Sequence, residues 1–317
     1  MDLVVVVLNY KTPELVVDCL GSLAPQVDGV RRSVVVVDND SRDGSVEIIG
    51  SAIDQRGWSH WARLVPSPVN GGFAAGNNLG IQAADADNYL LLNSDTIVRP
   101  GALDEILHAA AVRPEAGLIG PRLEWPDETP QISAFRFPSP FSEVIHSAET
   151  SLVTRALSGF DVPIPVSDAP IEADWVSFAC VLIRSSVVHR IGLLDDNYFM
   201  YYEDIDFCRR ARDAGFHIVY WPDARVVHLR GGSGDVKSSI AQKKRPRRYL
   251  YESRSRYFAK FYGGVPGVLA ANLGWYTGRS VSKLRELVGN KKNHLCEKES
   301  TDIWTDWLRP LGSRQAQ

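Results

Sequence analysis

Apolar runs and helix-like patterns alternate along the first part of the chain. The runs Leu3–Leu8 and Ser33–Asp38 consist mainly of valine, which is typical of strands covered on both faces in a parallel sheet. Between them, apolar residues recur at helical spacing from Leu15 to Leu23, and Thr12-Pro13 suits a helix start. The pattern predicts one βαβ unit.

The alternation continues to about residue 120. The predicted strands lie near Arg63–Val65, at Tyr89–Asn93 and within Gly117–Gly120, and the predicted helices cover Gly44–Ile53, a stretch after the glycine-rich turn Asn70–Asn78, and a stretch from Pro100-Gly101 to Val112. Such an order is typical of an open α/β sheet, whose ligands collect at the carboxyl ends of the strands.

Periodicity is lost between Glu124 and Pro170, where prolines are dense, and we expect a long irregular excursion over the sheet there. The elements predicted after it are strand Val181–Ile183, helix Ser186–Ile191, helix Glu203–Ala214, and late strands Ile218–Tyr220 and Arg225–His228. Beyond Gly234 the composition becomes basic and aromatic, and the last thirty residues or so are expected to be weakly ordered.

Composition narrows the class of protein. With 44% hydrophobic and 23% charged residues among 317, the chain is typical of globular proteins and not of fibrous or low-complexity ones. Its formal net charge of −3 argues against a chain built to coat nucleic acid, and no nucleic-acid partner is expected. The four cysteines form no CxxC pair, which argues against a zinc knuckle and favours a reducing cytosol.

The sequence predicts neither a signal peptide nor a membrane span. The run Leu3–Leu8 lacks a basic start and is too short for a signal peptide. The longest apolar candidate, Val265 to Tyr276, is shorter than the roughly 18 to 20 residues that a spanning helix needs.

Polar residues follow the first two predicted strands directly. Asn9-Tyr10 ends the first strand and Asp38 ends the second. A carboxylate there can accept a hydrogen bond from a pyrimidine imide or a ribose hydroxyl, and a ligand role and a structural role for Asp38 weigh equally on local grounds. Asp43 and Ser45 are assigned to the turn that starts the next helix, because such residues usually serve turns and caps.

The glycine-rich segment Asn70–Gly80 lacks the spacing of dinucleotide and phosphate loops. Its amides, Asn70 and Asn77 among them, suit contacts to a nucleotide or a sugar. Tight helix packing at Gly76 and Gly80 explains the glycines equally well.

A very apolar strand ends in Asn93-Ser94-Asp95, which places Asp95 at the lip of the sheet. Mg²⁺ and Mn²⁺ prefer oxygen ligands and commonly take one or two carboxylates together with substrate phosphates. Asp95 is therefore a metal-ligand candidate. His228, which precedes a glycine-rich turn, is a second candidate for that metal, although a lone histidine after a strand is more often structural.

Glu203, Asp204 and Asp206 open a predicted helix, where the helix dipole favours acids without any catalytic role. The preceding aromatic block, Tyr198 to Tyr202, can instead form an apolar wall that raises the proton affinity of a carboxylate and suits it to general-base work. Asp206 is expected to cap the helix or to pair with Arg209 or Arg210.

In this order the segments resemble family 2 glycosyltransferases of the GT-A fold, in particular rhamnosyltransferase-like members that build bacterial surface polysaccharides. The matching strings are VVLNYKTPELVVDCLGSL, VVVVDNDSRDGS, NGGFAAGNNLGI, YLLLNSDT, DWVSFACVLIRSSVVHRIGLLDDNYFMYYEDIDFCRRARDAGF and HLRGGS. The resemblance implies an α/β fold with a Rossmann-like, open, mostly parallel sheet flanked by helices. Residues 1–125 are expected to bind the donor, 126–235 to form the acceptor-binding and catalytic half, and 236–317 to form a basic, aromatic helical extension.

The resemblance also implies roles for individual residues. Asp38 is similar to the family's nucleobase-contacting acid, with Asn9, Tyr10, Asn70, Asn77, Asn93 and Ser94 as further donor contacts. Asp95 corresponds to the metal-binding acid and Asp204, beside Glu203, to the catalytic base, while Trp175 lies where acceptor contacts are expected. The expected reaction is an inverting transfer that uses Mg²⁺ or Mn²⁺ and a nucleoside-diphosphate sugar.

The expected donor is dTDP-rhamnose, with a UDP-hexose as the alternative, and the expected acceptor is a surface polysaccharide or a polyprenyl-diphosphate-linked glycan. Two other functions compete. A dehydrogenase needs a glycine-rich turn after the first strand. Residues Asn9 to Pro13 of this chain contain no glycine, which argues against that function. A non-catalytic binding protein of the same fold is disfavoured by the joint presence of Asp95, Asp204 and His228.

The tract Lys243–Arg248, with Arg254 and Arg256 among aromatic residues, has three interpretations. Its arginines can bind a diphosphate, or the basic-aromatic surface can rest on an anionic membrane, or the residues are simply a solvated helical face. We expect a cytoplasmic enzyme that contacts the inner face of the inner membrane peripherally.

Overall fold

The computed structural model describes residues 1–230, 240–289 and 294–313. The strands are β1 Leu3–Asn9, β2 Arg32–Asp38, β3 Ala62–Pro66, β4 Asn88–Asn93, β5 Thr96–Val98, β6 Ala116–Glu124, β7 Ala134–Phe135, β8 Ile171–Glu172, β9 Trp175–Val176, β10 Cys180–Arg184 and β11 His217–His228. The helices are α1 Pro13–Leu23, α2 Ser45–Gln55, α3 Gly72–Gln82, α4 Ala102–Val112, α5 Pro140–Ala148, α6 Ser151–Ala156, α7 Ser185–Ile191, α8 Glu203–Asp213, α9 Arg248–Tyr262, α10 Val265–Gly289 and α11 Glu299–Asp302.

The chain folds into two compact units. The first comprises Met1–Phe135, Ile164–Phe199 and Glu203–Ser233, and the second comprises Arg136–Pro163, Met200–Tyr202 and Gly234–Gln317. The first unit contains a nine-stranded sheet in the order β3-β2-β1-β4-β10-β6-β11-β5, with β8 on the side of β11. Six of the nine strands, β1 to β4 with β6 and β11, run in one direction. The expected α/β fold with a mostly parallel sheet is confirmed.

The parallel half of the sheet follows from its valine and leucine runs. Val4 to Val7 of β1 and Leu90 to Leu92 of β4 are at most 1% exposed, because helices cover the sheet on both faces. Fully burying such side chains contributes roughly 1.5–3 kcal/mol each.

Helix α3 corrects the prediction that Asn70–Asn78 is a turn. The helix begins at Gly72, so the glycines form its first turns. A Cβ atom at Gly76 would lie 2.4 Å from Leu8 Cδ1, and one at Gly80 would lie 2.2 Å from Val6 Cγ1. The alternative of tight helix packing at these two glycines is confirmed, since only glycine lets α3 lie this close to β1.

The expected irregular excursion over Glu124–Pro170 is wrong in part, because this stretch contains α5 and α6. Pro140 occupies the first turn of α5, where its missing N–H costs nothing, and Ser139 and Ser142 form a reciprocal capping box. The two predicted late strands are also one strand, β11, with an irregularity between Trp221 and Arg225.

The second unit is helical. Arg254 of α9 donates to Glu143 of α5 at 2.7 Å and to Asn272 of α10 at 2.7 Å, all three being buried. At the far end of the chain, Trp275 donates to Glu299 at 3.0 Å and packs in one cluster with Ile303, which is 1% exposed. The expectation of a weakly ordered end is therefore wrong for residues 294–313.

Candidate active site

Three polar strand ends meet at one edge of the sheet in the first unit. In the parallel register, Asn9 of β1 lies opposite Asp38 of β2, and Leu8 lies opposite Asn93 of β4. The loops that follow β1, β2 and β4 therefore start from the same edge. This is where open α/β sheets bind their ligands.

A buried hydrogen-bond network joins the first two loops. Asn9 Nδ2 donates to Asp38 Oδ1 at 2.7 Å, and the Asp38 carboxylate also accepts from the Ser41 hydroxyl at 2.6 Å and the Ser41 amide at 3.1 Å. Asn9 Oδ1 accepts from the Thr12 amide and hydroxyl at 3.2 and 3.1 Å. With Asp38 only 2% exposed, these bonds make it at least the organiser of the loop, and its contact to a nucleobase stays a prediction.

The network extends to the glycine-rich helix. Asn39 Nδ2 donates to Asn70 Oδ1 at 3.0 Å and to the carbonyl of Gly72 at 3.1 Å. Gly72 has a φ of +86°, and a Cβ atom there would lie 2.1 Å from the carbonyl oxygen of Phe199. Phe73 N donates to that same oxygen at 2.7 Å, which ties the start of α3 to the segment before α8.

Asn77 and Tyr10 have local contacts. The side chain of Asn77 is buried and donates to the carbonyl of Phe73 in its own helix at 2.9 Å. Tyr10 is partly exposed, with Lys11 Nζ 5.2 Å from its ring centroid. Their proposed contacts to the donor are not tested by this geometry.

The third loop brings Asp95 to His228. Strands β5 and β11 pair antiparallel with His228 opposite Thr96, and Leu229 N donates to the carbonyl of Asp95 at 2.9 Å. As a result, His228 Nε2 lies 3.5 Å from Asp95 Oδ1, with both side chains about 95% buried. Ser94, between Asn93 and Asp95, is joined to the first loop by a 2.9 Å hydrogen bond with Thr12.

The Asp95–His228 pair fits a divalent cation. Nε2 of His228 and Oδ1 of Asp95 are 3.5 Å apart, close enough for one cation to contact both atoms. Nδ1 of His228 is buried and has no hydrogen-bond partner among the residues that the structure describes. A carboxylate and an imidazole are suitable ligands for Mn²⁺. Within the described ranges no three His, Cys, Asp or Glu side chains are arranged to hold a metal ion, so a cation held here must complete its shell with substrate phosphates and water.

Glu203 and Asp204 start α8 at a strained point of the chain. The two residues before them, Tyr201 and Tyr202, have φ values of 70° and 69°, a left-handed conformation that bulky residues rarely adopt. Burial, together with the charge of Asp204, raises the pKa of the Glu203 carboxyl well above its usual range. Asp204 is partly exposed, and its Oδ1 accepts from Ile205 N at 2.9 Å.

The aromatic residues that precede α8 make different contacts. Tyr198 is fully buried, and its hydroxyl donates to Asp206 Oδ1 at 3.4 Å. Arg210 donates to Asp206 at 2.6 Å, which confirms the expected structural pairing of Asp206. In the second unit, Tyr202 packs against Tyr257 with ring centroids 5.4 Å apart.

Trp175 lies on the short strand β9, and its indole stacks on Phe135 of β7 with ring centroids 4.1 Å apart and an interplanar angle of 16°. Both side chains are partly exposed. Partly exposed aromatic rings suit contact with a sugar ring.

Comparison with known proteins decides the family. The family model described as "Glycosyltransferase like family 2" matches residues 2–249. The chain belongs to glycosyltransferase family 2. The N-acetylglucosaminyl-diphospho-decaprenol L-rhamnosyltransferase of Mycobacterium tuberculosis is 33% identical over 215 residues, which cover 63% of this chain and 67% of that protein. The resemblance seen in the sequence is confirmed.

Solved glycosyltransferases share the fold of this family 2 member. The mannosyltransferase PcManGT of Pyrobaculum calidifontis, solved with GDP-Man and Mn²⁺, has a TM-score of 0.57 at 16% identity and covers 90% of this chain and 75% of its own. GalNAc-T7, solved with UDP, GalNAc and Mn²⁺, has a TM-score of 0.59 at 13% identity and covers 100% of this chain and 60% of its own. The fold is GT-A.

In this glycosyltransferase the sequence interpretation missed three connecting residues: Thr12, Asn39 and Gln131. Gln131 donates to the carbonyl of His228 at 2.7 Å and accepts from Arg230 Nε at 2.5 Å. In the sequence, Thr12 indicates only a helix start and Asn39 only a loop after β2. Gln131 had no signal at all, because it reaches His228 across 97 positions of sequence.

Proposed function

We propose that the protein is an inverting, divalent-cation-dependent glycosyltransferase that moves a sugar from a nucleoside diphosphate to an acceptor hydroxyl. The observation that carries this proposal is the buried Asp95–His228 pair at the sheet edge where the Asn9 and Asp38 loops begin. Membership of family 2 supports it independently.

The donor nucleotide is proposed to bind at the ends of β1, β2 and β4. Residues 1–125 supply Asn9, Tyr10 and Asp38 for the nucleoside, with Asn70, Asn77, Asn93 and Ser94 as further contacts. Deoxythymidine-diphosphate rhamnose is the proposed donor, because the 33% identical relative is named as a rhamnosyltransferase. A UDP-hexose is the second candidate.

Asp95 and His228 are proposed to hold Mg²⁺ or Mn²⁺. When bound, the cation supplies Lewis-acid stabilisation of the charge that grows on the leaving diphosphate. The protein's own part is positioning. The pairing of β5 with β11 sets the distance between Asp95 and His228, and Gln131 holds the carbonyl of His228.

Asp204 is proposed as the general base that takes the proton of the attacking acceptor hydroxyl. Burial and the charge of Asp204 raise the pKa of the Glu203 carboxyl, so Glu203 holds its proton to a higher pH than an ordinary glutamate does. A protonated Glu203 places no negative charge directly beside Asp204 in the chain. Glu203 therefore supports the base without sharing its charge.

The proposed acceptor is a polyprenyl-diphosphate-linked glycan or a surface polysaccharide, bound by residues 126–235 with Trp175 as a sugar platform. The Mycobacterium tuberculosis relative is named for an acceptor of the lipid-linked kind. Among the described residues, no helix is long and apolar enough to cross a bilayer. We propose a cytoplasmic location, with the extension 236–317 in contact with the membrane surface.

The test is a panel of nucleotide sugars in a thermal-shift assay, with Mn²⁺, with Mg²⁺ and with chelator. Binding of the true donor raises the melting temperature according to its occupancy. We expect dTDP-rhamnose to give the largest shift and chelator to abolish both the shift and slow donor hydrolysis. Full activity in chelator contradicts the metal role, and donor binding without any turnover points to the non-catalytic alternative.

A further inference from the structure

Helix α10 of the second unit has two apolar faces. One face packs on α5 through small residues: a Cβ atom at Gly274 would lie 2.2 Å from the carbonyl oxygen of Pro140, and one at Gly278 would lie 2.2 Å from that of Val144. The opposite face, here called the outer stripe, consists of Leu269, Leu273, Tyr276, Leu284, Leu287 and Val288. Leu273 is 69% exposed, Leu287 84% and Val288 90%.

The outer stripe has two parts. Leu269, Leu273 and Tyr276 recur at four- and three-residue spacing, and Leu284, Leu287 and Val288 begin eight residues later on the same face, so that the stripe spans about 28 Å of helix with Ser280 between its parts. Within the described part of α10, the charged residue on that face is Lys283 at its edge. A helix that is apolar on two sides needs a partner for each. Within the described residues of the unit, α5 covers the first face, whereas the leucines and the valine of the outer stripe stay exposed.

Aromatic residues near the end of the chain extend the outer stripe at Tyr276. Trp304 Nε1 donates to the hydroxyl of Tyr276 at 3.2 Å, and Trp304 packs edge-on against Trp307 at 5.4 Å. The neighbouring Leu308 and Leu311 are 66% and 52% exposed. Tryptophan and tyrosine beside exposed leucines are typical of surfaces at the boundary between lipid headgroups and acyl chains.

The charge of the C-terminal segment decides between two possible partners of the outer stripe, a lipid bilayer and a second copy of the chain. Residues 240–317 contain 16 lysines and arginines against 6 aspartates and glutamates, in a chain whose total charge is −3. The exposed tract 243–248 is joined to the aromatic segment by Arg245–Asp302 and Arg248–Asp306 ion pairs, both 2.8 Å. A segment with this excess of positive charge repels its own copy in a symmetric dimer, whereas anionic headgroups attract it.

We propose that the outer stripe of α10, with Trp307, Leu308 and Leu311, docks on the surface of an anionic lipid bilayer, with the helix lying along the membrane. This deepens the proposed function and rests on it for its purpose, because a lipid-linked acceptor is presented at that surface. Docking itself requires neither donor nor acceptor.

The experiment is co-sedimentation of the full chain with phosphatidylcholine vesicles, with and without phosphatidylglycerol. We expect binding to the anionic vesicles that weakens with salt. The double variant Leu273→Glu/Leu287→Glu should lose at least about tenfold in vesicle partitioning, because two charges enter the apolar contact. The matched control is Val30→Glu/Val112→Glu, which places the same two charges at 78% and 48% exposed apolar positions of the first unit and should bind like the parent protein.

Three results would overturn the docking proposal. The parent protein does not bind vesicles, or the double variant binds them equally well. The third is that light scattering shows a dimer for the parent protein and a monomer for the double variant. Donor hydrolysis without vesicles separates this proposal from the proposed function. The double variant should keep it, and Asp204→Asn should lose it while still binding vesicles. Normal vesicle binding with no hydrolysis in any protein refutes the proposed function alone.

Discussion

Replacing Asn9 by alanine tests whether the buried network at the sheet edge organises the donor site. Asn9→Ala removes the 2.7 Å bond to the Asp38 carboxylate and the two bonds from Thr12. A hydrogen bond to a charged group contributes about 1.5–3 kcal/mol and an ordinary one about 1 kcal/mol. The 3.3 Å contact to Ser41 adds little. The expected loss in the free energy of unfolding is therefore about 4 kcal/mol, with Asp38 retaining only the two bonds from Ser41.

The assay is urea denaturation followed by circular dichroism, together with donor titration by calorimetry. The matched control is Asn88→Ala at the opposite end of β4, where one partly buried 3.1 Å bond to the carbonyl of Asp2 is lost and about 1 kcal/mol or less is expected. Donor affinity should fall in Asn9→Ala and stay unchanged in Asn88→Ala. Equal losses of stability in the two variants would refute the reasoning.

Three further predictions follow from the same geometry. Asp204→Asn should lower transfer by about 10²–10⁴-fold and leave the donor dissociation constant unchanged, as measured by calorimetry; weakened donor binding would contradict the base assignment. Glu203→Gln should raise the urea midpoint at about pH 8 more than at about pH 4. In the unfolded chain the Glu203 carboxyl ionises near its ordinary pKa of 4.5, whereas burial raises its pKa in the folded chain. The parent protein therefore loses stability as the pH rises above 4.5, and the glutamine variant does not. A pH-independent difference between the two proteins would exclude this. Gly274→Ala should destabilise the second unit by about 1–3 kcal/mol through the clash with Pro140, whereas Gly159→Ala, whose Cβ would meet nothing within 4 Å, should stay within about 0.5 kcal/mol of the parent in thermal melts.

Local sequence decided which segments are strands and helices wherever a pattern repeats over several residues. The valine runs of β1 and β2 are strands at the predicted positions, and α8 begins at Glu203 as predicted. Dense prolines are an ambiguous signal. The prolines between Glu124 and Pro170 predict irregular chain, yet Pro140 occupies the first turn of α5, because the same fixed φ that breaks a helix interior suits its start.

The sequence by itself determined the strand ends at Asn9 and Asp38 and the turn after β4 that carries Asp95, since polar residues that close buried runs must lie at the edge of a sheet. Only the tertiary structure decided which of them meet. His228 reaches Asp95 because β11 pairs with β5, and Gln131 reaches His228 from a distant loop. Strand pairing joins residues far apart in the chain, and no periodicity records it. The burial that raises the pKa of Glu203, and the exposure that leaves Leu273 and Leu287 on an open face of α10, likewise depend on what packs where. A residue's neighbours along the chain do not report that.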